Sequence, residues 1–171
     1  MARISISAVS LFILGALIVC TGCPSLPGAA KKKVPNIEVE VFLSKQGFDG
    51  EFSTPAVTDW ERQTFNLLEK EQWLTKSRAE VPNWERAYYR YTIVKETYQS
   101  RQEAKDRSNR IREQPPSLGG EPDKAFPLRA GFAFDKNVYV VSCQVSMFHE
   151  HMKKFTRELE QAISTTAGPR K

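Results

Sequence analysis

The chain has 171 residues, 40% of them apolar and 26% charged, with a formal net charge of +5. That length supports one domain with its own core, and the composition excludes a disordered chain. A positive excess this small, spread along the chain, is weak evidence for nucleic acid and fits at least as well with a protein working beside anionic lipid or wall polymers, so no nucleic-acid partner is expected.

Arg3 opens a short positive region. An apolar run from Ile4 to Val19 follows, broken only by small residues, and leads to Cys20-Thr21-Gly22-Cys23. A charged start, an apolar middle and small residues before a cut are the parts of a secretory signal. The end of this stretch resembles the lipobox of bacterial lipoproteins. Thr21, Gly22 and Cys23 occupy the last three places of that pattern, and Cys20 stands where the family has an aliphatic residue. The resemblance implies a signal peptide over residues 1–22, cleavage before Cys23, diacylglycerol on the Cys23 thiol and often a further acyl chain on its amine. Two or three such chains hold a protein firmly, whereas one holds it marginally. Pro24 follows the cysteine, not the aspartate of an inner-membrane retention signal, which points to the periplasmic face of the outer membrane in a diderm organism. An acceptor at Cys20 fits less well, because Val19 is branched where a small residue is preferred. The alternative is an uncleaved helix, since the run, carried on through Cys20-Thr21-Gly22 to about 19 residues, nears the length of a membrane span. Lys31-Lys32-Lys33 outweigh Arg3, however, and would then place the globular part in the cytoplasm.

Residues 23–35 read as the acylated cysteine and a tether, whose Pro and Gly prevent regular structure and whose three lysines suit anionic headgroups. A single domain is expected over 36–165. Ile37, Val39, Val41 and Leu43 alternate with Glu38, Glu40 and Phe42, the period of a half-buried strand. Gln46 to Ser53 reads as a loop. Thr58 with Glu61 forms a capping box, and a helix is expected from Asp59 to Lys76 with Trp60, Thr64, Leu67, Leu68 and Leu74 inward. Val81-Pro82-Asn83 breaks the chain. Arg86 to Tyr98 reads as a strand, with Tyr89, Tyr91 and Ile93 on one face. Ser100 with Glu103 caps a polar surface helix to Glu113, whose inner stripe is Ala104, Ser108 and Ile111. Gln114 to Lys124 is a Pro/Gly loop. Phe126 to Phe134 and Tyr139 to Val145 then form a hairpin around Asp135-Lys136-Asn137. Ser146 caps a last helix to Ile163 with the stripe Phe148, His151, Met152, Phe155, Leu159 and Ile163. A frayed tail follows, with 166–171 beyond the domain.

The order β-α-β-α-β-β-α predicts an α+β two-layer sandwich: a mainly antiparallel sheet of about four strands, three helices on one face and the other face wet. A late hairpin running into an amphipathic C-terminal helix is similar in pattern to small envelope proteins of the PsbP and DcrB kind, with no motif that carries residues across.

Candidate chemistry is sparse. His149 and His151 are the only histidines. Two residues apart on a helix they point about 200° apart, so they do not face one metal ion there. Cys143 lies on the inner parity of its strand, where a cysteine behaves as a small hydrophobe, and with Cys23 acylated it has no intrachain partner. A catalytic thiolate needs electropositive, partly exposed surroundings. Gly119-Gly120 lacks the strand before and the Lys-Ser/Thr after that a phosphate loop requires. No catalytic, cofactor or metal residues are therefore expected. The aromatic residues Trp60, Trp73, Trp84, Tyr88, Tyr89, Tyr91 and Tyr98 are mostly core. Tyr88 beside Arg90 is a candidate partner surface, and Arg101 and Arg107, with Arg110 and Arg112, either make a docking face for anions or form a solvated face with carboxylates nearby. The expectation is a membrane-anchored, non-enzymatic lipoprotein that binds an envelope protein or wall polymer. Its alternatives are a small-ligand carrier with an apolar pocket between helices and sheet, or an enzyme using Cys143 or the histidine pair.

Overall fold

Among the described residues the first element begins at Asn36, and it is a helix. The Asn36 backbone is extended and its side-chain oxygen accepts the Glu38 N–H at 2.9 Å, the geometry of an N-cap. Helix α1 (Ile37–Lys45) follows, with Val39, Phe42 and Leu43 buried and Ile37 and Val41 exposed. The expected strand is corrected here. Both periods are present in these residues, but only the helical one buries Phe42. The computed structural model describes residues 36–113 and 128–166. The expected signal, tether, 114–124 loop and end of the tail lie outside them.

Strand β1 (Phe48–Ser53) occupies the stretch expected to be a loop. Gly47, at φ +71°, turns the chain back under α1, and a Cβ on Gly50 would sit 2.8 Å from Leu43 Cδ1. The glycines that suggested a loop permit this turn and this close approach. Helix α2 (Asp59–Phe65) carries the expected Thr58–Glu61 capping box. It stops at Asn66, which takes the left-handed conformation at φ 55°. The expected helix to Lys76 is therefore cut short, and strand β2 (Glu69–Ser77) replaces its second half. There Glu71, Trp73, Thr75 and Ser77 point inward alternately.

Strand β3 (Arg90–Thr97) lies within the expected strand, with Tyr91 and Ile93 buried. Helix α3 (Arg101–Glu113) has the expected Ser100–Glu103 cap and inner stripe: Ala104 and Ser108 are buried and Ile111 packs beside them. Strands β4 (Leu128–Phe134) and β5 (Asn137–Cys143) form the hairpin, turning at Asp135 and Lys136 with Asp135 at φ 55°. A short 3-10 turn, Ser146–Phe148, then leads into helix α4 (His149–Thr166). The turn itself makes this entry; its N-cap residue, Val145, supplies no side-chain bond.

The fold is α+β, with one antiparallel five-stranded sheet in the order β1-β2-β3-β5-β4. Two of its strands, β1 and β2, stand where a loop and a helix were expected, and the expected strand at 37–43 is α1, so the described residues hold five strands and four α-helices against the expected four and three. The expected wet face is also corrected. On one face Trp73, Tyr91, Ile93, Tyr139 and Val141 pack against α1 and α4. On the other, Val138 and Val140 join Leu67, Tyr98 and Ala104 under α3. Because Val138 to Val141 are apolar on both parities, β5 is buried on both sides. The antiparallel register also sorts the ends of the sheet. The Asp135–Lys136 turn lies at the end where α1 begins, since Asn36 Nδ2 approaches the Tyr139 hydroxyl at 3.4 Å. The loop 78–89, the segment 144–148 and the start of α4 lie at the opposite end, because Thr92 pairs with Ser142.

Candidate functional site

The end of the sheet away from Asn36 is built by two short segments held firmly. Ser77 N–H donates to the Tyr89 carbonyl at 2.9 Å, and Tyr89 N–H donates back to Ser77 Oγ at 3.0 Å. Val81 N–H donates to Ala87 O at 2.8 Å and Trp84 N–H to Val81 O at 3.0 Å, with Asn83 and Arg86 both in the left-handed region. This loop presents Trp84, which is 47% exposed and meets the edge of Phe148 at 6.4 Å. From the other segment, Val145 and Met147 are 43% and 56% exposed.

Beneath these side chains lies an aromatic stack. Phe148 meets Tyr89 edge-on at 5.0 Å, and the Tyr89 ring lies 3.8 Å from the His151 ring with only 11° between their planes. The Tyr91 hydroxyl is 2.6 Å from His151 Nδ1. In the neutral tautomer with its proton on Nε2 the imidazole accepts at Nδ1 and Tyr91 donates; in the other tautomer the roles reverse. Burial lowers the basicity of His151 and nearby Lys154 lowers it further, which favours the neutral ring. Burial pushes the Tyr91 hydroxyl well above its ordinary value, so it stays protonated. The arrangement offers an apolar, partly aromatic platform over one satisfied polar pair.

The residues singled out for chemistry are not brought together as a catalytic or metal-binding set. Cys143 is 3% exposed, its Sγ reaches the Val145 carbonyl at 3.5 Å, and burial pushes its thiol up, away from thiolate character. His149 lines a groove beside β4, whereas His151 is taken by Tyr91 and Tyr89. Among the described residues there is no group of three or more His, Cys, Asp or Glu placed to hold a metal ion. The space between α4 and the sheet, where a carrier's pocket is expected, holds the fully buried Trp73, Ile93, Tyr139, Met152 and Phe155.

Tyr88 and Arg90 lie at the same end of the sheet as the platform, but Arg90 alternates with Tyr91 and so faces the other side of the sheet from the aromatic stack. The Tyr88 hydroxyl donates to Glu80 at 3.2 Å, Lys76 Nζ sits 4.0 Å from its ring centre, and Arg90 is exposed opposite Lys76. Arg101 and Arg107 are at the other end. Arg101 pairs with Asp135 at 2.5 Å, and Arg107 grips both oxygens of the buried Glu96 at 2.9 and 3.1 Å. The expectation of nearby carboxylates describes these two arginines. The prominence of Met147 and Val145 was not legible, because their strand-like parity ends where the 3-10 turn begins.

No helix among the described residues is long and apolar enough to cross a membrane. No family model, curated protein or solved structure matches the chain.

Proposed function

We propose that this chain is a membrane-anchored envelope lipoprotein without a catalytic role, displayed from Cys23 and docking another envelope component through the platform of Trp84, Val145 and Met147. The observation that carries the docking part is the exposure of Trp84, which packs on Phe148, and of Val145 and Met147, which flank Phe148 in the chain, at the end of the sheet away from Asn36. Single exposed apolar residues are ordinary on a protein surface, whereas a contiguous group of them marks an interaction site. The anchoring part rests on the run Ile4 to Val19 followed by Thr21-Gly22-Cys23.

The test is the intact mass of protein extracted from membranes, wild type beside Cys23→Ser. Loss of residues 1–22 with the added mass of a diacylglycerol, abolished by the substitution, is the expected result. A full-length, unmodified mass would overturn the anchor and send the search for partners to the cytoplasm.

A further inference from the structure

Strand β4 is an edge of the sheet: among the described residues it pairs with β5 alone. The turn after it has two residues, so Phe134 and Asn137 form the hydrogen-bonded pair that closes the hairpin. Counting back by twos, Arg129, Gly131 and Ala133 occupy the alternate positions, whose N–H and C=O point away from β5. The Gly131 carbonyl fits this, since it accepts a long bond from Arg112 Nε at 3.4 Å from outside the sheet.

This edge forms part of a groove with a volume of about 590 Å³, between α3 on one side and α4 on the other. Ile111 and Leu128 give it apolar wall. Its charges are Arg112, Arg129, Lys153 and Arg157 against the single carboxylate of Glu160, with His149 at one end. Arg129 and Arg157 are exposed, and Lys153, acting with Arg157, holds the Glu150 carboxyl below its ordinary value. Lys153 is shared with the exposed Glu150 at 2.9 Å.

We propose that the β4 edge is a strand-addition site for an extended acidic peptide segment of a partner protein. An added strand would bond to the outward backbone groups of Arg129, Gly131 and Ala133. Its side chains would alternate between the α3 side, with Arg112 and Arg129, and the α4 side, with Lys153 and Arg157. Carboxylates on either face thus meet cations, and basic segments are repelled. Isolated edges are commonly protected by charge against pairing with copies of themselves; a strip of one sign does that while admitting the opposite sign. This inference does not depend on the lipid anchor.

The test uses the full chain in detergent and two acetylated, amidated peptides of about eight residues, a strand's length, one of alternating glutamate and threonine and one of lysine and threonine. The glutamate peptide should bind saturably, with a Kd on the order of 100 µM, and slow hydrogen exchange at the Arg129, Gly131 and Ala133 amides. Arg129→Glu with Arg157→Glu should weaken binding at least about tenfold while the circular-dichroism spectrum is unchanged. Several results would overturn the proposal: no saturable binding, equal binding of the lysine peptide, or unchanged exchange at those three amides. Dextran sulfate binding in the absence of peptide binding would replace the strand with a polyanion and overturn it too.

Discussion

His151 is the residue at which burial and titration meet. Its folded form favours the neutral ring, so its basicity lies below the ordinary value of 6.5. As pH falls through that value the unfolded chain takes the proton first, and the domain loses the stability that neutral His151 provides. The carboxylates of Glu61, Glu103 and Glu150, held below 4.5 by their partners, lose their contribution only at lower pH. The urea midpoint should therefore drop between about pH 7.5 and about pH 5.5, and His151→Gln should flatten that drop. A second residue, Arg107, sits over the Phe65 ring and pairs with Glu96, which also accepts the Tyr98 hydroxyl at 2.7 Å. Arg107→Met leaves Glu96 charged, buried and uncompensated. A loss of about 3–5 kcal/mol by urea denaturation is expected, partly recovered by adding Glu96→Gln. The arginine's need for a carboxylate was readable from its helix, but Glu96 lies on a strand, and only packing brings the two together.

The element on which sequence and structure part most sharply is α1. Its apolar residues satisfy both a period of two and a spacing of three and four, and local pattern alone does not choose between them. The choice is made by Phe42, which meets Phe155 of α4 at 5.0 Å and is buried only if the segment is helical. The two states separate in experiment. A strand puts Val39 and Val41 on one face; the helix buries Val39 and leaves Val41 47% exposed. Val41→Lys should change stability by no more than about 0.5 kcal/mol, while Val39→Lys should cost several times that or prevent folding, as thermal unfolding would report. Equal effects would contradict the helix. The α2–β2 junction failed for a related reason: Leu67, Leu68 and Leu74 mimic a helical stripe, yet Asn66 accepts the left-handed conformation and ends the helix after two turns.

At the scale of the molecule, the sheet has a covered face on each side and two ends of different character. One end receives the chain at Asn36, and the other carries Trp84, Val145 and Met147. These three contribute little to the core, so Trp84→Ser with Met147→Ser should leave the unfolding midpoint nearly unchanged. The same pair should remove any discrete crosslink formed from this end in intact cells. If that crosslink persists in the double variant, the platform is not the docking surface. Should the midpoint fall steeply instead, Trp84 serves the fold through Phe148, and the platform reading fails on that side.

The sequence by itself determined the parts whose signals are local. These were the two capping boxes, the hairpin around Asp135 and Lys136, the inner stripe of α4 and the α+β class, because hydrogen bonds three residues apart and strong periodicities need no distant partner. The tertiary structure alone decided that residues 37–45 are a helix, that β1 exists, that both sheet faces are covered and which side chains meet at the platform and along the β4 edge. Each of those outcomes turns on contacts between residues far apart in the chain, such as Phe42 with Phe155 or Trp84 with Phe148, where burial outweighs a local preference that is itself divided.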